Sequence, residues 1–417
     1  MTASSAAAPI APADPEPKRH PATSAQLSWL EREVEAWRSE GLVDADTAVA
    51  IRDRYVVHRR VTLARIVLTL GAAFVGLGLI WLVAANLDRM SPLLRFLLMV
   101  LVWVGLVTAS ELLARRREHT GTIPAPVLGV VRMLAAAAYG AVVFQAAQSL
   151  QVSTYDPILV GVWAAGALLY AYAVRSLGSL VVGIVLAAYW FGWAVLDVDE
   201  TMVAGATAIG VAGLVAVAVG VLHAPQGQAT AERILFGIPW RELGAGLVLL
   251  GLFLAALPFN EGGDATGTLV LWVGLGVAVA LAALALVRGD RVDRLETGLA
   301  AVALAVGAGL SLWRFSGTEL DDLTAGEWAR AFVAVVVYLA VASGYAVLGG
   351  MRDSARLTWA ATAALVLFTT IQATAVFAEI LSGAALFLLV GVVLIGTGLL
   401  ADRGRRRLVR EGKEAAS

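Results

Sequence analysis

Residues able to do chemistry are scarce in this chain, and their spacing is not that of a hydrolase or a kinase. There is no His-Glu-x-x-His, no Gly-x-Ser-x-Gly and no Walker phosphate loop. Cysteine is absent, which excludes disulfides, thiolate metal sites and cysteine nucleophiles. The four histidines, His20, His58, His119 and His223, do not pair at metal-ligand spacing. The expectation is a protein that is not an enzyme and uses no cofactor. What remains is a sparse polar set inside apolar segments: Asn86, Gln145, Gln148 and Gln372, flanked by Arg95 and Glu379. Gln145 and Gln148 are three apart and share one side of a helix. Thr369, Thr370 and Thr374 surround Gln372. Amides in a low-dielectric interior cost free energy unless paired. They therefore either bond between helices, for about 0.6 kcal/mol each, or line a shallow small-solute site open to one face. Asn86, Arg95, Gln145, Gln148 and Gln372 form that candidate site.

These residues are positioned by a succession of apolar runs. Of 417 residues, 59% are hydrophobic and only 15% charged; the mean hydropathy is +0.80. A soluble domain carries about 25% charged residues, so runs of 18 or more apolar residues read as membrane spans. The pattern predicts an all-α polytopic bundle of about 12 transmembrane helices, near 66–86, 93–114, 127–149, 157–174, 178–196, 201–222, 240–258, 267–287, 295–313, 329–349, 357–377 and 380–401. The bundle then covers residues 62–402 and a basic cytoplasmic tail covers 403–417. The Pro/Ala-rich residues 1–22 read as a disordered tail. The prolines fall in that tail or near helix ends, so no span is expected to be broken of the kind that binds substrate in coupled transporters. Glycines such as Gly71, Gly76, Gly205, Gly210, Gly244 and Gly246 would let helices pack closely.

Charge alternates across these segments. Of 31 Lys and Arg, 27 fall on one side and 4 (Arg89, Arg95, Arg314 and Arg330) on the other. Cytoplasmic loops retain Lys and Arg, which places both termini in the cytoplasm of a bacterial inner membrane. A missed helix would scramble the alternation beyond it, so its persistence supports the count. The opposite side is acidic, from Asp88 to Glu379, either to solvate helix ends or to gather cations. Arg132, inside the third span, is expected to snorkel to the headgroups, and Glu111 with Arg115 to form an i, i+4 surface pair.

Residues 23–61 differ from the rest. Leu27, Leu30, Val34 and Trp37 make one stripe of an amphipathic helix. Gly41 stands where a helix C′ residue belongs, and Asp44 can cap a second helix whose Ala48, Ile51 and Tyr55 repeat on one face. This predicts a small cytoplasmic helical hairpin, with Trp37, Gly41 and Tyr55 as its contact residues. So small a unit buries little surface, so docking on the bundle, on itself or on a partner would order it. Its balanced charges argue against nucleic acid.

The stretch Ala36-Trp37-Arg38-Ser39-Glu40-Gly41-Leu42-Val43, followed by Ala48, Ile51 and Tyr55, resembles the head of the bacterial membrane proteins known as domain of unknown function (DUF) 2157. Ala85-Asn86 is similar, as is Ala147-Gln148-Ser149-Leu150 leading to Tyr155-Asp156 and the Trp163 helix. The resemblance covers about 27–196 and implies a polytopic inner-membrane protein without an assigned activity.

Two readings follow. One is a transport-like or solute-binding protein using the outer polar set; the size of the bundle favours it. The other is a non-transporting scaffold or sensor whose cytoplasmic hairpin meets a protein partner or a second copy. The lipid bilayer is the partner common to both. Topology is testable directly: reporter fusions at Gly262 and Gly317 should read external, and those at Gly289 and Gly404 internal. Two contrary reporters would overturn the twelve-helix arrangement.

Overall fold

The computed structural model describes residues 20–22, 24–57, 91–120, 123–153, 155–223, 231–257, 267–313 and 324–377. The expected spans at 66–86 and 380–401 lie outside these residues, and so do Asn86 and Glu379. The chain divides into two compact units, Met1–Met90 and Ser91–Ser417.

In the first unit, β1 (His20–Ala22) precedes α1 (Ser24–Ser39), α2 (Ala45–Asp53) and β2 (Tyr55–Val57). Gly41 takes φ 73°, and Leu42 N–H donates to the Trp37 carbonyl at 2.9 Å. That is the six-to-one bond that ends a helix on a left-handed residue. Asp44 caps α2, its carboxylate accepting from Thr47 N–H at 2.7 Å. Val34 and Ala48 are buried, and Arg52 of α2 reaches Glu35 of α1 at 3.1 Å. Two expectations need correction. Tyr55 is not on the face of α2, because that helix stops at Asp53; it pairs in parallel with His20. For the same reason His20–Ala22 form a strand and are not part of a tail.

The second unit is helical: α3 (Pro92–Thr120), α4 (Ala125–Ser149), α5 (Ile158–Val174), α6 (Leu177–Leu196), α7 (Met202–Leu222), α8 (Ala231–Ala256), α9 (Leu269–Arg288), α10 (Arg291–Leu312), α11 (Ala325–Met351) and α12 (Ala355–Phe377). These coincide one by one with the second to eleventh expected segments. Among the described residues, eight helices are long and apolar enough to cross a membrane: α3, α4 and α6 through α11. Helix α5 is a shorter apolar helix of 17 residues. Helix α8 begins well before residue 240, so Pro239 lies inside it and not near a helix end as expected.

Helix α7 is the centre. In its apolar window 67% of residues are buried, against 6% in α3 at the periphery. It packs most closely on α8, through backbone rather than side chains. A Cβ on Gly213 would lie 2.7 Å from Val248 N, one on Gly244 2.7 Å from Val217 N, and one on Gly251 2.8 Å from Gly210 N. Without a hydrophobic drive between helices in lipid, such close approach supplies the van der Waals contact that holds a bundle together. Of the glycines expected to do this, Gly210 and Gly244 do; Gly246 has no neighbour within 4 Å of a built Cβ. Aromatic packing adds to the core on the far side of α8. The Tyr338 and Phe368 rings of α11 and α12 stack with centroids 3.9 Å apart, and Phe253 of α8 meets both edge-on.

Gly213→Ala and Gly246→Ala separate packing from propensity. Each gains up to about 1 kcal/mol of helix propensity. At Gly213 the neighbour is backbone that cannot yield, and overpacking costs about 1–3 kcal/mol. Gly213→Ala should lower the thermal midpoint in detergent, and Gly246→Ala should leave it unchanged or raise it. The reverse order would refute the close α7–α8 seam.

Candidate functional site

The sequence scatters charged residues over one set of helix ends, and the fold gathers them. Contacts join the C-terminal ends of α3, α5, α7, α9 and α11 to the N-terminal ends of α4, α6, α8, α10 and α12. Ser110 of α3 bonds Tyr170 of α5 at 2.9 Å. Arg132 of α4 donates to the Val174 carbonyl of α5 at 2.7 Å. A Cβ on Gly178 of α6 would meet Met133 of α4, and one on Gly289 would meet Val221 of α7. Glu242 of α8 accepts from Ser354, at the start of α12, at 3.1 Å. This basic end is the side on which the arginine-rich loops fall.

The most concentrated polar group at this end is an ion cluster between α8, α10 and α11. Arg241 of α8 and Arg352, which caps α11, face Asp293 and Glu296 of α10. Arg241 Nη2 lies 2.9 Å from Asp293 Oδ1, and Arg352 Nη2 lies 2.7 Å from the same oxygen. The Arg352 nitrogen also reaches Glu296 Oε2 at 2.8 Å, and Arg241 Nη1 reaches it at 3.5 Å. Glu296 is fully buried. These are ion-pair distances, yet neither Glu296 oxygen accepts a well-aligned hydrogen bond. Asp293 also closes a capping box with Asp290 at the start of α10. Tyr345, two turns before Arg352 on α11, is fully buried with its hydroxyl unpartnered.

Two smaller networks lie at the same end. Arg132 pairs with Glu111 at 3.0 Å while capping α5 through Val174. It does not run out to the headgroups as expected, and Glu111 pairs between helices instead of with Arg115. Both changes have one cause: an unpaired charge at this depth is costlier than a cross-helix pair. In the second network Trp240 Nε1–H donates to Tyr172 Oη at 2.9 Å, and Tyr172 lies 2.8 Å from His223 Nε2. His223 Nδ1 is 2.8 Å from the Val219 carbonyl, which can only accept. That fixes a proton on Nδ1, and in the neutral ring Nε2 then accepts from the tyrosine.

At the opposite end one arginine serves a similar purpose. Arg330 of α11 is buried and donates to the Leu310 carbonyl of α10 and the Ala255 carbonyl of α8, each at 3.2 Å. Those are orphan carbonyls of two helix C-termini. Helices α8, α10 and α11 are thus tied at both ends.

The expected amide site fares differently. Gln145 is half-buried and Gln148 exposed on α4, which packs on α3, α5 and α6. Gln372 is buried on α12, which packs on α11 and α8, and its Oε1 has no partner. Helices α4 and α12 are not packing neighbours, so the structure does not bring these amides together. Arg95 lies in the first turn of α3, half-buried and engaged. Trp37 is half-buried and Tyr55 exposed. Among the described residues no group of three or more His, Asp or Glu could hold a metal ion. Sequence reasoning missed the α8–α10–α11 cluster because its charges sit near the ends of the apolar runs and count there as loop charges, although Arg241 lies ten residues inside α8. The available signal was Asp293-x-x-Glu296, two acids on the face that also carries Ala300 and Ala303 into the core.

Residues 35–180 match the model of a family of predicted membrane proteins, DUF2157. The family likeness of the head and of the Ala147–Leu150 run is thereby shown over that stretch, from α1 into α6. The ion cluster lies beyond it. No curated protein and no solved structure matches the chain.

Breaking a buried ion pair by removing one partner costs about 3–5 kcal/mol, whereas replacing both partners by apolar groups is often neutral. Glu296→Leu should therefore lower the thermal midpoint sharply, and Glu296→Leu with Arg352→Met should recover most of the loss. A double variant no more stable than the single one would show that the pair does not act as a unit.

Proposed function

We propose that this membrane protein is a non-transporting, non-enzymatic scaffold or sensor. In this reading it crosses a bacterial inner membrane twelve times with both termini cytoplasmic, and its N-terminal helical unit meets a protein partner. The observation that carries the reading is the closed α7–α8 seam, where glycine backbones leave no room for a pathway between the two central helices. The pairing of the buried arginines with carboxylates or carbonyls supports it, since these charges are spent on one another. The N-terminal unit supplies what a partner would meet: Trp29 and Leu42 are both more than half exposed.

A second reading, solute binding from the outer face, rests on Gln372, whose buried Oε1 has no partner. One pair of measurements separates the two. A photo-crosslinking residue at Trp29 or Leu42 should give a discrete protein adduct in cells, while one at lipid-facing Leu101 should give none. Absence of any adduct from the N-terminal unit would overturn the scaffold reading. So would a small solute that stabilises the wild-type protein and fails to stabilise Gln372→Leu.

A further inference from the structure

The arginines of the basic end fall into two classes. Arg132, Arg241 and Arg352 point inward and are paired with carboxylates. Arg115, Arg116 and Arg117 at the end of α3, and Arg288, Arg291 and Arg294 around the α9–α10 turn, are exposed, and none has a carboxylate partner among the described residues. The nearby acids do not neutralise them. Asp290 and Asp293 are used in the capping box, and Asp293 and Glu296 face the buried arginines. Glu118 stands alone beside three arginines.

Helix length sets their depth. Helix α3 has 29 residues, about 43 Å at 1.5 Å per residue. The hydrocarbon core is about 30 Å thick, and about 40–45 Å with both headgroup layers. With Pro92 at one hydrocarbon boundary, Leu112 reaches the other, and Arg115 to Arg117 stand in the headgroup layer. Helix α10 has 22 residues, about 33 Å, which brings Arg291 to the same boundary. Immediately below the arginines are exposed apolar side chains: Leu112 on α3, and Val287 and Leu295 on either side of the α9–α10 turn.

From this juxtaposition we propose that the two arginine groups are binding surfaces for anionic phospholipids. The guanidiniums hold phosphate oxygens, often in two-pronged fashion, and the apolar residues beneath contact the first acyl carbons. Those apolar contacts select a lipid over a free phosphate, which has no apolar part, and the depth of the arginines within the headgroup layer favours a lipid over a water-soluble acidic protein. Juxtamembrane basic residues contribute on the order of fivefold in membrane affinity each.

The test uses the full chain in nanodiscs of phosphatidylcholine, with and without 30% phosphatidylglycerol. The anionic lipid should raise the thermal midpoint of the wild-type protein. The triple variants Arg115/116/117→Gln and Arg288/291/294→Gln should each lose a large part of that rise while melting as the wild type does in phosphatidylcholine alone. The corresponding Arg→Lys variants should keep most of it. An equal rise in the Gln variants would overturn the proposal. So would a matching rise from inorganic phosphate in detergent, which would mean that a free anion is enough. Should a Gln variant not insert, native mass spectrometry of the wild type decides: preferential retention of phosphatidylglycerol is expected, and equal retention of both lipids refutes the surface.

Discussion

Charge inside a bilayer must be paired, and that requirement shapes this bundle more than any other. Two arginines and two carboxylates from α8, α10 and α11 meet at the basic end, with Arg352 and Arg241 sharing one oxygen of Asp293. Desolvating four ions is expensive, so the cluster adds little net stability over an apolar core. Its effect is on uniqueness. Any rotation or slide of one of the three helices strands a buried charge, so a single arrangement is favoured. Arg330 imposes the same condition at the other end, since withdrawing it would leave carbonyls of α8 and α10 unsatisfied.

The glycine seam between α7 and α8 builds on that frame. Close backbone approach supplies contact area without large side chains, and it leaves the pair no freedom to separate. Ion pairs and carbonyl bonds at its ends, backbone contact at its centre and stacked aromatics on α11 and α12 join the described helices of the bundle. The arginines of the basic end follow the same rule: those facing inward are matched by carboxylates, and the exposed ones, without such partners among the described residues, are the groups proposed to meet lipid phosphates.

Local signals survived the passage from sequence to structure, and non-local ones did not. The apolar runs placed α3 to α12, Gly41 ended α1 and Asp44 capped α2, because each depends on a few neighbouring residues. Tyr55 was misread because its strand partner, His20, lies 35 positions away and a three-residue strand has no periodicity to detect. Pro239 was misplaced because the polar start of α8, from Ala231 to Arg233, does not look like a span. The amides of α4 and α12 shared a depth in the sequence, but depth says nothing of which helices are neighbours. The ion cluster escaped for the same reason: 55 residues separate Arg241 from Glu296 and 56 separate Glu296 from Arg352, and only the packing of α8, α10 and α11 shows that they meet.

Paired charge at both ends should hold α10 and α11 in one fixed relation along their length. The absence of cysteine permits spin labels at Leu295, near the basic end of α10, and Phe332, near the opposite end of α11, both exposed. Pulsed dipolar spectroscopy should return one narrow distance population, the same in detergent and in bilayers. A broad or two-peaked distribution, or one that changes between the two environments, would contradict the account.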